Sequence, residues 1–371
     1  MEDQDENRID EDVARFPCSD CGAKLEFSPG TTLLVCSFCG AENHIALDDE
    51  TVDEVDFEAT LVELEASAEH EERATVKCEA CGAEVDRPEK LTAFPCPFCG
   101  TDIVTRDGSR KLIKPKSLLP FALDRRQAIE RFRTWIGSLW FAPSELKRFA
   151  RQEGRFQGIY LPYWTYDSDT SSRYTGERGE HYWVTVTSTS TNAQGQTVTR
   201  NQQVRRTRWY PARGRVEVVF DDVLVAASQS LPRNYLEALE PWDLADLVPF
   251  QESFLSGFKA ETYQVDLRAG FQRAEQLMEP VIRAAICRDI GGDEQRIHSC
   301  AITHREVSFK HLLLPVWIDA YRYRGKVYRV VVNARSGEVQ GERPWSFWKI
   351  FFFVATIVAL IALVIILVRS S

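Results

Sequence analysis

Two copies of one cysteine pattern constrain the first hundred residues of this chain more tightly than any other feature. Cys18, Cys21, Cys36 and Cys39 form two CxxC pairs separated by fourteen residues, and Cys78, Cys81, Cys96 and Cys99 repeat the spacing 60 residues later. A CxxC turn sets two thiolates on one centre, and a hairpin of this length returns a second turn to close a tetrahedron. Gly22, Gly40, Gly82 and Gly100 each follow a pair directly, where the turn needs a permissive backbone. Phe38 and Phe98, inside the second pair of each module, are placed to cover the metal. The pattern predicts two structural Zn2+ ions held by these eight thiolates, in modules spanning 14–47 and 74–106. Four thiolates leave no open coordination position, so zinc-activated water is not expected. Each module is too small to bury a core unaided, and metal binding of order ~10 kcal/mol or more would supply its folding free energy.

Such modules resemble the zinc ribbons of general transcription factor IIB. Many ribbons touch nucleic acid, but charge argues against that here. Residues 1–110 hold 28 Asp/Glu and 9 Lys/Arg, a balance of −19, which leaves the remainder of a chain of net charge −10 at +9. Phosphate would be repelled by such a head, so protein–protein contact is the stronger expectation for the ribbons. Residues 1–13 read as an acidic disordered tail and 48–73 as an acidic linker. Within the linker Val52, Val55, Ala59 and Val62 recur at helical spacing, so a marginal amphipathic helix and a solvated segment both remain open.

Residues 111–345 predict an α+β body with antiparallel sheets. Asp124 is placed to cap a helix with apolar positions Ala128, Ile129, Phe132, Trp135, Ile136 and Leu139, and Pro143-Ser144 restarts a second, shorter one. From Gly158 to Ser228 the texture is β, with turn signals at 192–195 and 212–214; helical patterning returns around 231–247. A long amphipathic helix follows over 266–289, its stripe running from Leu267 through Phe271, Ala274, Met278 and Val281 to Ile286, and Gly291-Gly292 end it. The closing β meander turns at 324–326 and 335–337. An internal echo runs through the body. A helix beginning at Asp124 leads to a strand with LPYW (161–164), and a helix beginning at Asp266 leads to a strand with LPVW (314–317), which predicts two related halves.

The last predicted element is a transmembrane helix over 347–368. Ile350–Val368 holds 19 residues without a charge or proline, about 28 Å of helix, and Trp345, Trp348 and Lys349 stand at its entry. MEDQDENRIDED lacks the basic and apolar regions of a signal peptide, and Arg335, Arg343 and Lys349 outweigh Arg369. A C-terminal tail anchor with the N-terminal domains in the cytoplasm is therefore expected, in a compartment that keeps CxxC thiols reduced.

Other residues are candidates for chemistry. Arg200, Arg205, Arg206, Arg208, Arg213 and Arg215 cluster with Trp209 and Tyr210, no acid lying between Glu180 and Glu217, and residues 111–155 hold 11 Lys/Arg against 4 Asp/Glu. These are solvated faces, a surface for anionic lipid head groups, a nucleic-acid surface, or a partner for the acidic linker, which would then gate them. His298, Cys300 and His304 share strand parity and raise a third metal site against ordinary strand packing. Asp289 and Asp293 flank a glycine pair that a helix C-cap explains. Asp221-Asp222 lacks a partner motif, and Cys287 reads as core. No GxxxxGK[ST], nucleophile elbow, HExxH or Rossmann fingerprint occurs, so no catalytic residue is assigned.

YLPYW (160–164), FDDVLVAAS (220–228), PWDL (241–244), IGGDEQRI (290–297), FKHLLLPVW (309–317) and VNARSGEVQGERPWS (332–346) make the chain similar to a family of uncharacterised bacterial zinc-ribbon, single-span membrane proteins. Members are often labelled as similar to primosomal protein N′ (replication factor Y), a superfamily II helicase. That activity needs a phosphate-cradling loop with a lysine, which this sequence lacks. The resemblance implies a fold outline and no activity. The expected function is a tail-anchored, non-enzymatic adaptor at the cytoplasmic membrane face, with a membrane-associated nucleic-acid binder and a helicase-related enzyme as alternatives.

Overall fold

The first cysteine module folds as a three-stranded antiparallel sheet of β1 (Leu25–Phe27), β2 (Leu33–Cys36) and β3 (Glu42–His44). The computed structural model describes residues 16–46, 54–66, 71–78, 84–86, 93–96, 98, 102–104, 109–143, 156–191, 197–323 and 326–370. The predicted acidic tail, the short helix at Ser144 and the turn at 192–195 lie outside them. The sheet is not a free bead. Leu25, Phe27, Leu34 and Ile45 are buried in one core with Phe121, Phe132, Phe254 and Trp317 of the body. Ser256 Oγ donates to Leu25 O, Phe27 N to Ser256 O and Gly30 N to Phe121 O.

Part of the acidic linker is also folded. β4 (Val55–Asp56) leads into α1 (Phe57–Ala66), whose first turn is capped where Ala59 N donates to Asp56 Oδ1. The buried face differs from the sequence reading. Phe57 enters the core while Ala59 and Val62 face solvent, because β4 adds antiparallel to the body and fixes the rotation of α1. In the second module β5 (Glu71–Lys77) pairs with β6 (Glu84–Asp86) and β9 (Ser109–Leu112), and β7 (Ala93–Pro95) pairs with β8 (Asp102–Val104).

The body is built twice over. In the first half β10 (Ser117–Leu118), α2 (Arg125–Ser138), β11 (Gln157–Thr191) and β12 (Thr197–Ala226) follow in order. After α3 (Arg233–Glu237) and β13 (Val248–Pro249), the second half runs β14 (Lys259–Ala260), α4 (Leu267–Ile290), β15 (Glu294–Tyr323) and β16 (Lys326–Asn333). β17 (Val339–Gly341) and α5 (Phe347–Ser370) close the chain. The two echoed motifs pair with each other, Leu161 opposite Leu314, so the halves interlock about a local two-fold. Their hydrogen bonds match one for one. Trp317 Nε1 donates to Leu123 O at 2.8 Å and Trp164 Nε1 to Val265 O at 2.9 Å, each reaching the residue before the other half's helix cap. Ala334 O accepts from Ala122 and Leu123 as Ala227 O accepts from Gln264 and Val265. Both caps are aspartates: Asp124 forms a capping box with Gln127, and Asp266 accepts from Ala269 N.

β12, β11 and β15 are long, and side by side they form an arm. β15 accompanies β11 as far as Gly179 opposite Glu294, and beyond it the β11–β12 hairpin continues alone to Thr191 opposite Thr197. Those twelve residues add about 40 Å. The expected turn at 212–214 does not exist. β12 runs straight through it, and Gly214 is there because a Cβ would stand 2.7 Å from Tyr174 Oη and 2.8 Å from Asp289 Oδ2. α4 lies on the base of the arm, burying Ala274, Met278, Ile282 and Ile286, whereas Val281 faces solvent. Pro211 fits because β12 is the edge strand of the sheet.

Candidate metal centre

Each CxxC turn of the first ribbon brings its backbone round through a glycine of positive φ, Gly22 at 72° and Gly40 at 76°. Gly22 N donates to Cys18 O and Gly40 N to Cys36 O, closing the two turns. No atom lies within 4 Å of a Cβ at either position, so backbone conformation and not space requires glycine there. The ligand atoms of Cys18, Cys21, Cys36 and Cys39 all lie within 4.8 Å of one another, with Cys18–Cys39 and Cys21–Cys36 sulfurs 3.5 Å apart. A tetrahedral ion with Zn–S of ~2.3 Å needs sulfurs about 3.8 Å apart, so the four thiolates fit zinc. Hydrogen bonds from the backbone of Cys39 and Phe38 lower Cys36 to about 6. Cys39 is pushed up to about 12, since sharing with Cys21, Cys18 and Cys36 outweighs the bond from Ala41. Four thiols this close cannot all ionise alone, and a dication removes that conflict.

Phe38 does not cover the metal. Its side chain is 83 % exposed at the tip of the second turn. In the second module Cys78, Cys96 and Phe98 are buried in a core with Leu231, Leu239 and Trp242 of the body, while Cys81, Cys99, Gly82 and Gly100 lie outside the described residues.

Other sequence candidates separate. His298 approaches Glu177, whereas His304 meets Ser168 and Glu275 and packs on Phe271. Cys300 stands opposite Tyr174, its thiol pushed up by burial. These three do not converge on an ion. Asp289 accepts from Tyr174 Oη, Asp293 accepts from His181 N, and Gly291 caps α4 through Cys287 O. The arginines of β12 split by strand parity: Arg200, Arg206 and Arg208 share one face, and Arg205, Arg213 and Arg215 the other. Arg205 stands opposite Trp183, Arg206 opposite Tyr182, and Arg215 pairs with Glu217.

One cluster had no sequence signal. Asp167 sits where β11 is bulged on both sides, opposite Asp221-Asp222 on one edge and next to Ser308 on the other, with Asp222 at φ 52° and Glu306 at φ 49°. Ligand atoms of Glu54, Asp167 and Asp221 lie within 4.8 Å of one another. Lys310, 9 % exposed, supplies the countercharge, 2.8 Å from Asp222 and 3.5 Å from Glu54. Burial pushes Asp167 up to about 6, whereas hydrogen bonding from Ser308 lowers Glu54. The network fastens β4 to the base of the arm. Its members stand 54 to 310 in sequence, so no local motif announces it.

Residues 74–108 match the FORGETTER1 second zinc ribbon domain. The second cysteine repeat thus matches a zinc-ribbon domain, and the first brings four thiol sulfurs together in a geometry that fits zinc. It is also similar to the uncharacterized protein YdjG of Bacillus subtilis (strain 168), 24 % identical over 341 residues that cover 91 % of this chain and 92 % of that protein. Neither name refers to a primosome or a helicase. No solved structure matches. At the far end, Phe347–Val368 is the one described helix long and apolar enough to cross a membrane, and none of its apolar window is buried.

Proposed function

We propose that the chain is a membrane-anchored, non-enzymatic adaptor in which two Zn2+ ions, on Cys18, Cys21, Cys36, Cys39 and on Cys78, Cys81, Cys96, Cys99, brace docking surfaces held near the cytoplasmic face. The carrying observation is the four-sulfur site itself. Saturated by thiolate, it offers no position for substrate or water, and its sheet is fused into the body's core. What the site does provide is rigidity under an outward-facing aromatic. Phe38 stands exposed on a metal-clamped turn, which favours a protein partner, since aromatic anchors on rigid supports dominate such interfaces. α5 supplies the proposed anchor.

The test is affinity capture of the full chain from mild detergent with Phe38→Ser beside the wild type. Loss of specific co-purifying protein at unchanged zinc content supports the reading, and an unchanged partner set refutes it. A second reading is favoured by the arm, where Arg205 and Arg206 stand opposite aromatic rings beyond the three-stranded base. Binding of nucleic acid there predicts an affinity that falls steeply with salt, the slope shrinking when Arg205, Arg206 and Arg208 become alanine. Binding to anionic vesicles with no nucleic-acid affinity would assign the arginines to lipid head groups.

A further inference from the structure

α2 ends against the start of α5, and the connection is specific. Leu139 is buried and Ala142 is 1 % exposed, with Ala142 N donating to Leu139 O, so the turn between them drives Trp140 outward to 73 % exposure. Three hydrogen bonds staple this turn to the apolar helix. Lys349 Nζ donates to Trp140 O at 3.3 Å and Ala142 O at 2.7 Å, and Ser346 N donates to Phe141 O at 2.8 Å. Phe141 also packs edge-on against Phe353, ring centroids 5.3 Å apart. Phe353 lies six residues into α5, about 9 Å along its axis.

A loop held at that depth beside a membrane span would meet the polar–apolar boundary, where carbonyls without partners are costly. Lys349 gives two of its carbonyls a charged donor. The residue left facing outward is tryptophan, the side chain that concentrates at this boundary, and it is held level with the first turn of α5, where Trp348 also stands.

We propose that the Leu139–Ala142 turn is a second membrane contact, with Trp140 seated in the interfacial layer of the bilayer beside α5. The inference rests on α5 being the anchor. Its consequence is orientation: two points of attachment stop the body swivelling and fix the direction of the arm.

The experiment places a benzophenone amino acid in the full chain, reconstituted in vesicles of phosphatidylcholine alone, which offer the arginines of the arm no net anionic surface. Trp140→benzoylphenylalanine and Ile357→benzoylphenylalanine should both cross-link to lipid on irradiation. Trp183→benzoylphenylalanine, far out on the exposed hairpin, should not. Lipid adducts at 357 without adducts at 140 overturn the inference and leave the anchor intact. Cross-links from 140 to a second copy of the chain overturn it in favour of self-association. Absence of adducts at 357 sinks the anchor and this contact with it. Lipid adducts at 183 as strong as those at 140 overturn it also, since contact would then be unspecific.

Discussion

Removing one zinc ligand of the first ribbon should cost the body its stability, not just the ribbon. Cys36→Ser breaks the four-sulfur set, and without metal the three short strands have little to hold them together. Leu25, Phe27, Leu34 and Ile45, all under 10 % exposed, would leave the shared core. At ~2 kcal/mol for each buried side chain the gross loss is about 8 kcal/mol, of the order of a whole domain's stability. The hydrogen bonds of Ser256 and Gly30 to the ribbon go with it. Even half of that loss, at roughly 2–4 °C per kcal/mol for a body of this size, lowers the melting temperature by about 8–16 °C.

Calorimetry of the detergent-solubilised full chain, with zinc content measured on the same samples, reads both effects. Cys287→Ser, on α4 and outside the modules, serves as the comparison and should leave zinc and melting point near the wild type. If Cys36→Ser loses its metal while the body's transition stays within a degree or two, the ribbon is an independent bead. The reasoning from the shared core would then be wrong.

Further outcomes are expected. Trp164→Phe and Trp317→Phe each remove one indole hydrogen bond to the opposite half, so each should cost about 1 kcal/mol or somewhat more in urea titrations; strongly unequal losses would argue against the matched halves. Lys310→Met leaves Asp222 and Glu54 without their cation and should cost about 2–3 kcal/mol, less than for a fully buried pair because both acids keep some solvent. Adding Asp222→Asn should return part of it. Asp167, pushed up to about 6, favours the fold while neutral at low pH and loses that contribution as pH rises through about 6. Asp167→Asn should therefore gain stability relative to the wild type as pH rises from about 4 to about 6, by about 1–2 kcal/mol after solvent screening, and keep that gain at higher pH. A flat difference from about pH 4 to about pH 6 would refute the assignment.

Legibility followed the range of the interactions. The first set of four cysteines, the caps at Asp124 and Asp266, the turn at 335–337 and the apolar run after Phe347 are local patterns, and each stands in the structure where the sequence places it. The LPYW and LPVW echo was visible too, although not that the two motifs pair with each other. The arm was not legible. Glycine in ARG reads as a turn, yet Gly214 marks close packing against Tyr174 and Asp289, a contact across the sheet and a helix. Asp221-Asp222 looked idle because its partners, Asp167 and Lys310, come from other strands. Phe38 reads as a metal cover because sequence gives spacing and not direction.

The matched halves also show why the additions fall where they do. Each half carries one helix over the shared sheet, and the two helices have been put to different uses. α4, 24 residues long, covers the base of the arm. α2, only 14 residues, stops early, and the room beyond its end is taken by the turn that meets α5, while the ribbon shares its core. One half thus carries the candidate four-sulfur centre and the proposed anchor, and the helix of the other covers the base of what projects away from them. The buried contacts between halves, Leu161 on Leu314 and each tryptophan on the opposite helix cap, join those two ends rigidly. A device that holds a surface at a set distance and direction from its attachment needs that stiffness, and a module tethered by a flexible linker would not.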